Sequence, residues 1–400
     1  MTRRLAAALF FIARLGHAGP LPASVEVTRP DEPIHLEPNG AAAKRGAAQK
    51  GARLPVFAAE RGPGCASEWY AVGPLAWLCG EGAAPSPLPP GAVPEPAAVE
   101  GLPYSYRFVG PDGSFGYRLL DTAEDGTPDA QLQPGFGVAV MRVDTKRGAS
   151  DPFGLTTHRL WIPLRDLGAA VRPANALAAD WAGGSVAWVT APRATMYTSA
   201  GGRVKPGAVV DALTRVSVLE RSERGRETWL RVGQDAWLRA RDMTEPVVRP
   251  PPEEIRPGER WLDVDLARQV LVAYRGEQPL FATLVSTGRG APGTELATPP
   301  GLHRIWVKLR TSDMDNLENL EAARNYAIQA VPWVMYFDRA YGLHGAFWHK
   351  AFGHVQSHGC INLTPADAER LFDWSSPRLP TGWSAVLPTD HELGTLVRVQ

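Results

Sequence analysis

A ten-residue pattern, W-x-x-V-G-x-x-A-W-L, occurs twice in this chain, at Trp69 to Leu78 and again at Trp229 to Leu238. Apolar residues flank a Gly-centred turn on both sides, which predicts a tight β-hairpin with one buried face. Each copy ends a stretch that opens on Val-Thr, at Val27-Thr28-Arg29-Pro30 and at Val189-Thr190-Ala191-Pro192. A unit of roughly 55 residues made of short strands and turns suits a small barrel. A third, weaker copy lies between them. Gly135 to Val140 reads as a strand, and Leu160 to Leu167 echoes Ala236 to Met243. The constraint on the fold is therefore a mostly β chain of several modules, which a length of 400 residues also requires.

The modules are separated by Pro-rich segments. Residues 83–99 are rich in Pro and Ala, and residues 245–258 contain Pro250-Pro251-Pro252. Both are expected to be extended and solvent-exposed. From Arg260 onward the texture changes. Trp261 to Leu266, Gln269 to Tyr274, Leu280 to Ser286, Leu302 to Val307, Trp333 to Phe337, Trp383 to Leu387 and Thr395 to Val399 read as strands. Thr364-Pro365 is an N-cap followed by Pro at the first helical position, with Ala368, Leu371 and Phe372 forming the apolar face of a short helix. The acidic stretch from Arg310 to Ala330 reads as an inserted lid containing a helix.

Lys+Arg and Asp+Glu are equal at 42 each, so no global field recruits nucleic acid or an anionic membrane. Arg3-Arg4 precede an apolar run, Leu5 to Ala13, and Gly16-His17-Ala18 supplies small residues for cleavage. Residues 1–18 thus read as an export signal, with a short buried helix as the alternative because Arg14 ends the run early. No later run is long and apolar enough for a transmembrane segment. In an exported chain Cys65 and Cys79 read as a disulfide, with zinc as a weaker rival, and Cys360 is the odd thiol.

Cys360 lies in Ser357-His358-Gly359-Cys360-Ile361-Asn362, and His344-Gly345 begins sixteen residues before it. A thiol is a good nucleophile only as thiolate, so an acyl-transfer site needs a base within reach and N–H groups aimed at the reacting carbonyl. Cys360 is the candidate nucleophile and His344 the candidate base. His358 is the rival base, or else packs beneath the loop and orients it. Gly359 lets the chain turn sharply, so that main-chain N–H groups at Gly359 and Cys360 converge as an oxyanion hole. No acid stands close enough in sequence to orient His344, since Asp338 is six residues away, which leaves a backbone carbonyl for that task. Asn362 is read as tying its own loop. Two rival readings compete with this one. The cluster His344, His349, His354, His358 and Cys360 contains zinc-ligand types but in no regular metal spacing. Gly288 to Gly293 is formally G-x-G-x-x-G, yet the prolines after it cannot open the helix that a dinucleotide site needs.

These residues resemble the signature of the L,D-transpeptidase catalytic domain: an H-G, an interval of a dozen or so residues, then S/T-H-G-C, a hydrophobic residue and N. Ser286-Thr287-Gly288 and Thr298-Pro299-Pro300-Gly301 resemble the S-T-G and T-P-x-G turns of that family, and the likeness spans roughly residues 259–389. The resemblance implies a C-terminal β-sandwich whose Cys360 attacks a peptidoglycan stem peptide, with His344 as general base and acid. Trp348, His349, Ser357 and Asn362 are expected to line the substrate, and no metal or organic cofactor is implied. The outer modules resemble bacterial SH3-like domains, which accompany cell-wall enzymes or act as spacers. The expected organisation is a signal (1–18), an SH3-like module (19–82), a linker (83–99), a second such module (100–180), a third (185–244), a linker (245–258), the catalytic domain (259–389) and a C-terminal strand (390–400). The thioester would be resolved by an acceptor stem or a protein at the cell wall, placing the chain in the periplasm or wall. Resolution by water would make it an L,D-carboxypeptidase or endopeptidase. A non-catalytic wall-binding protein is the alternative from another class.

Overall fold

The computed structural model describes residues 20–93, 101–148, 150–181, 185–318 and 325–400. The proposed export signal at 1–18 lies outside the described residues. Among the described residues no helix is long and apolar enough to cross a membrane. The chain divides into two compact units, Met1–Pro94 with Leu379–Val386, and Glu95–Arg378 with Leu387–Gln400.

The first unit is built from short antiparallel strands. One three-stranded sheet runs Arg53–Pro55, Ser24–Val27, Ala83–Ser86. The last of these falls within the segment expected to be a free linker. It is held by four paired positions, from Ser24↔Ser86 to Val27↔Ala83. A second row runs Lys44–Ala48, Glu32–His35, Ala76–Cys79, Trp69–Gly73, Ala58–Glu60. Trp383–Val386, expected to help close the C-terminal domain, pairs with Lys44–Ala48 inside this unit. Cys65 and Cys79 form a disulfide, with Cα atoms 5.8 Å apart.

Both copies of the repeat are hairpins of the expected kind. In the first, Trp69 opposes Cys79 and Gly73 opposes Ala76. In the second, Trp229 opposes Arg239 and Gly233 opposes Ala236. Each turn uses a non-glycine residue at positive φ, Leu75 at 49° and Asp235 at 48°. Trp69 and Trp229 are buried on the inner face.

The expectation of SH3-like barrels is overturned. Among the described residues no sheet closes. Within residues 185–244 the strands form two open rows. One is Arg215–Val218, Ser185–Val189, Met243–Thr244, and the other is Val204–Asp211, Arg193–Tyr197, Ala236–Arg239, Glu227–Gly233, Glu220–Arg224. The edge strand Glu220–Arg224 is mostly exposed and carries four charges in five residues. Charged edges resist further pairing. The segment expected as the middle module is not a barrel either. Its long strand Gly137–Thr145 pairs with Ser105–Phe108 and Pro152–Thr156 and also touches Ala327–Asp338 at Gly137↔Ile328.

The C-terminal part of the second unit is a β-sandwich with one helix, as expected. One sheet runs Ala179–Asp180, Gln278–Leu284, Val270–Arg275, Arg260–Asp265, Leu396–Val399, Gly301–Arg304. Its central strands are buried on both faces, which requires cover on each. The other row contains Val307–Asp315, Ala327–Asp338, Tyr341–Gly345 and Ile361–Leu363. The described ends of the acidic stretch are therefore strands and not a helix, and residues 319–324 lie outside the described set. The helix Pro365–Trp374 starts where its cap was expected: Thr364 Oγ1 accepts the Asp367 N–H at 3.2 Å. Ala368, Leu371 and Phe372 are its buried face. The Pro-rich segment before the domain is tied down, because Arg249 reaches Asp265 at 2.9 Å.

Candidate active site

Tyr341–Gly345 and Ile361–Leu363 pair in parallel, so that Leu343 faces Ile361, His344 faces Asn362 and Gly345 faces Leu363. Opposed residues in a sheet point to the same side. Cys360 stands two residues before Asn362, in the bend that leads into its strand. The pairing therefore brings the imidazole and the carboxamide to one surface, next in the chain to the thiol. Neighbouring loops hold the cysteine strand in place: Ser286 exchanges both backbone hydrogen bonds with Asn362, at 3.0 and 2.9 Å.

Burial sets the protonation states. His344 is 2% exposed. Loss of water disfavours the imidazolium and lowers the His344 pKa from 6.5 to about 4. Its Nδ1 lies 3.4 Å from the Gly345 carbonyl oxygen, a long contact that suits an Nδ1–H tautomer with Nε2 free to take a proton. The Cys360 thiol is half-buried, and desolvation raises its pKa, while the Gly342 N–H aimed at the sulfur pulls it the other way. At rest the thiol and the imidazole are thus both neutral.

The cysteine loop is laced together internally. Ser357 Oγ accepts the Gly359 N–H at 3.1 Å and donates to the Cys360 carbonyl at 2.5 Å. The Gly359 N–H, expected in the oxyanion hole, is turned into the loop instead. The Cys360 N–H has no acceptor among the described residues and is the donor left for a substrate oxygen. Gly359 adopts φ of 117°, and a Cβ there would come within 2.3 Å of the Tyr341 ring. Thr298 Oγ1 accepts the Gly288 N–H and donates to the Gly359 carbonyl, both at 2.8 Å.

His358 does not pack beneath the loop. Its side chain is exposed, stacks on Tyr326 at 5.2 Å and accepts a hydrogen bond from Arg289 on Nε2 at 2.8 Å. Desolvation and, after it, the Arg289 guanidinium lower its pKa, and its lone pair is occupied in this arrangement. His349 Nδ1 accepts the Ala351 N–H at 3.1 Å, and its Nε2 lies 2.9 Å from the Asn362 carboxamide. Desolvation lowers the His349 pKa to about 4 as well. Trp348 lies against His344, with ring centroids 5.7 Å apart. Of the residues expected to line the substrate, Ser357 and Asn362 use their polar groups within the loop, whereas Trp348 is half-buried beside the base. Sequence reasoning missed Arg289, Tyr326 and Tyr336. Burial raises the pKa of both tyrosines, and a thiolate on Cys360 would raise it further. Only Arg289 carried a signal, its place directly after Ser286-Thr287-Gly288.

Residues 259–399 match the family described as the L,D-transpeptidase catalytic domain (YkuD). No curated protein matches the chain. Solved structures with similarity include an L,D-transpeptidase from Xylanimonas cellulosilytica, at 20% identity over 38% of this chain and 64% of that one, with a TM-score of 0.25. An L,D-transpeptidase from Stackebrandtia nassauensis is 25% identical over 37% of this chain and 58% of that one, with a TM-score of 0.24. The catalytic domain of an E. faecium L,D-transpeptidase is 23% identical over 36% of this chain and 98% of that one, with a TM-score of 0.27. The chain spans less than two thirds of the first two. With scores this low, the functional reading draws on the family match and on the site itself.

Proposed function

We propose, from the premise that residues 259–399 are an L,D-transpeptidase catalytic domain, that this chain is an exported cysteine acyltransferase acting on peptidoglycan stem peptides. In this reading Cys360 attacks the carbonyl carbon of the third residue of a donor tetrapeptide. His344 Nε2 takes the thiol proton as the C–S bond forms. The oxyanion rests on the Cys360 N–H. The C–N bond then breaks, the terminal D-alanine leaves with the proton from His344, and a thioester remains. An amine of an acceptor stem, deprotonated by His344, resolves the thioester into a cross-link, or a side chain of a wall-attached protein does so.

The observation that carries the reading is the parallel register of His344 against Asn362, two residues after Cys360. The neutral imidazole supports His344 as base, because a histidine held near a pKa of about 4 is ready to accept a proton at neutral pH. The Cys65–Cys79 disulfide supports an oxidising compartment and hence export. Ser357 and Gly359 shape the loop, His358 stands outward against Tyr326 and Arg289, and Trp348 is a substrate-facing wall.

Exposure to a penem, whose strained lactam carbonyl stands in for the donor carbonyl, tests this. Intact mass is expected to rise by one penem in the unaltered protein and to stay constant in Cys360→Ala. An adduct on the Cys360→Ala protein would sink the assignment. His344→Ala is expected to slow adduct formation by about 100-fold or more.

A further inference from the structure

The strand Ala327–Asp338 bends on its way to the site. Between the pairs Ser312↔Val331 and Met314↔Ile328 it carries one residue more than its neighbour, so that Gln329 and Ala330 together oppose Asp313. Ala330 takes φ of 50° and Trp333 φ of 54°, in the left-handed region that alanine and tryptophan normally avoid. Such a conformation persists only where neighbours hold it, and it gathers at functional sites. Here it lies beside the base. A Cβ at Gly345, next to His344, would lie 3.2 Å from the Pro332 ring and 3.4 Å from the Trp333 ring.

What holds the bend comes from residues 101–180, outside the matched family region 259–399. The Tyr106 hydroxyl donates to the Ala330 carbonyl at 2.5 Å. The Ala330 N–H donates to Asp313 Oδ1 at 2.7 Å, and His158 Nε2 holds the other oxygen of that carboxylate at 2.6 Å. The Ala139 N–H donates to Gln329 Oε1 at 3.2 Å. Both backbone groups of the strained residue are thus engaged, one of them directly by Tyr106. The Tyr106 ring, 1% exposed, also lies on Phe347 with centroids 4.0 Å apart. Phe347 adjoins Trp348, which lies against His344 at 5.7 Å. One tyrosine therefore reaches the base along two routes, by its hydroxyl through the bend and by its ring through Phe347.

We propose that Tyr106 is a positioning residue for the reaction at Cys360, its hydroxyl holding the bend at 330–333 in the form that seats His344. Residues 101–180 then complete the active site and are not a spacer. Tyr106→Phe keeps the ring on Phe347 and removes only the hydroxyl, so it isolates the bend. This role rests on His344 serving as the base proposed above, and one arm of the test reads the imidazole without any reaction.

Four full-length proteins decide it: unaltered, Tyr106→Phe, Asp313→Ala and, as a control, Val171→Ala, which loosens the same core but keeps the hydroxyl. Intact mass followed over time at several penem concentrations gives the saturating acylation rate and the half-saturating concentration separately. In Tyr106→Phe the saturating rate is expected to fall about tenfold, because a base displaced by about an ångström loses its alignment. The half-saturating concentration is expected to stay the same. Asp313→Ala is expected to slow acylation in the same direction, and Val171→Ala to leave it unchanged. The His344 ring resonance, assigned by its loss in His344→Gln, is expected to shift in Tyr106→Phe and Asp313→Ala and to stay in place in Val171→Ala. A saturating rate unchanged in Tyr106→Phe, equal slowing in Val171→Ala, or a His344 resonance that does not move overturns the proposal. Asp313 is exposed, so Asp313→Ala carries the same comparison if circular dichroism shows Tyr106→Phe unfolded. An unaltered protein that takes up no penem counts against the reaction at Cys360, and the His344 resonance then decides the role of Tyr106.

Discussion

His344 faces Asn362 across a parallel strand pair, and its imidazole is buried deeply enough to be neutral at physiological pH. The partner thiol is also shifted toward its neutral form. The site therefore does not rest as a thiolate–imidazolium ion pair, and the proton moves only when an electrophile arrives. Alkylation of Cys360 by iodoacetamide is expected to be slow at pH 7 and to climb above pH 9, with no step near 6.5. A fast plateau already at pH 6 would show a preformed thiolate.

The same burial acts on stability. The His344 pKa falls from 6.5 in the unfolded chain to about 4 in the folded one. Between those values the unfolded state binds more protons, so stability is full above pH 6.5 and is lost as pH falls toward 4. The gap corresponds to roughly 3 kcal/mol. Urea midpoints measured from pH 7 down to pH 4 are expected to fall, and less steeply in His344→Gln.

His349 can hold one ring proton when neutral, and its Nδ1 already accepts the Ala351 N–H. The proton therefore sits on Nε2. The Asn362 atom 2.9 Å from it is Nδ2, also a donor, so the hydrogen bond requires the carboxamide turned with its oxygen toward the ring. Asn362 thus ties the cysteine strand to the loop that bears Trp348. Asn362→Asp places a carboxylate beside the imidazole and is expected to raise the His349 pKa, visible as a histidine resonance that titrates at higher pH. Asn362→Leu leaves a buried ring N–H unpaired, at a cost of about 1–3 kcal/mol by denaturant titration. A wild-type midpoint in Asn362→Leu would remove the tie.

Thr298 bridges two turns, with its hydroxyl hydrogen-bonded to Gly288 and to Gly359. Thr298→Val keeps the shape but removes the hydroxyl, leaving a buried carbonyl and a buried N–H without it. A loss of about 1–3 kcal/mol is expected. Slower acylation should accompany it, because Gly359 adjoins the nucleophile. Thr298→Ser should retain most of both. Equal acylation rates in Thr298→Val and the unaltered protein would separate the bridge from the chemistry.

Local features of this fold were legible because local rules write them. The strand at Trp261 to Leu266, read from its alternating residue types although Trp261 to Asp265 are all buried, the Thr364-Pro365 helix start and the two Trp-flanked hairpins each follow from residues a few positions apart. Sheet closure does not. Periodicity reveals strands but not whether the first and last of them meet, and the charged edge Glu220–Arg224 stays open where a barrel was expected. Long-range pairing was equally hidden: nothing near Trp383 announces that it will oppose Ala48. At the site, the sequence identified Cys360 and His344 as residue types suited to acyl transfer. It could not reveal that the Gly359 N–H is taken by Ser357, or that His358 leans outward onto Tyr326 and Arg289, because those depend on how the loop turns.

Lys308 is fully buried, and its ammonium donates to the carbonyls of Phe372 and Ser375, the latter at 2.9 Å, beside the C-terminal end of the helix Pro365–Trp374. Burial lowers its pKa from 10.5 to about 7, even though the helix end attracts a cation. The unfolded chain therefore binds more protons than the folded one between pH 7 and 10.5. Stability is expected to rise with pH across that window, the reverse of what a surface lysine paired with a carboxylate would give. Lys308→Met removes the buried charge but leaves two carbonyls without a donor. Its stability is expected to lose this upward slope, whatever its absolute value. Denaturant midpoints at pH 7, 8, 9 and 10 for both proteins decide the matter, and parallel slopes would mean that Lys308 keeps its proton throughout.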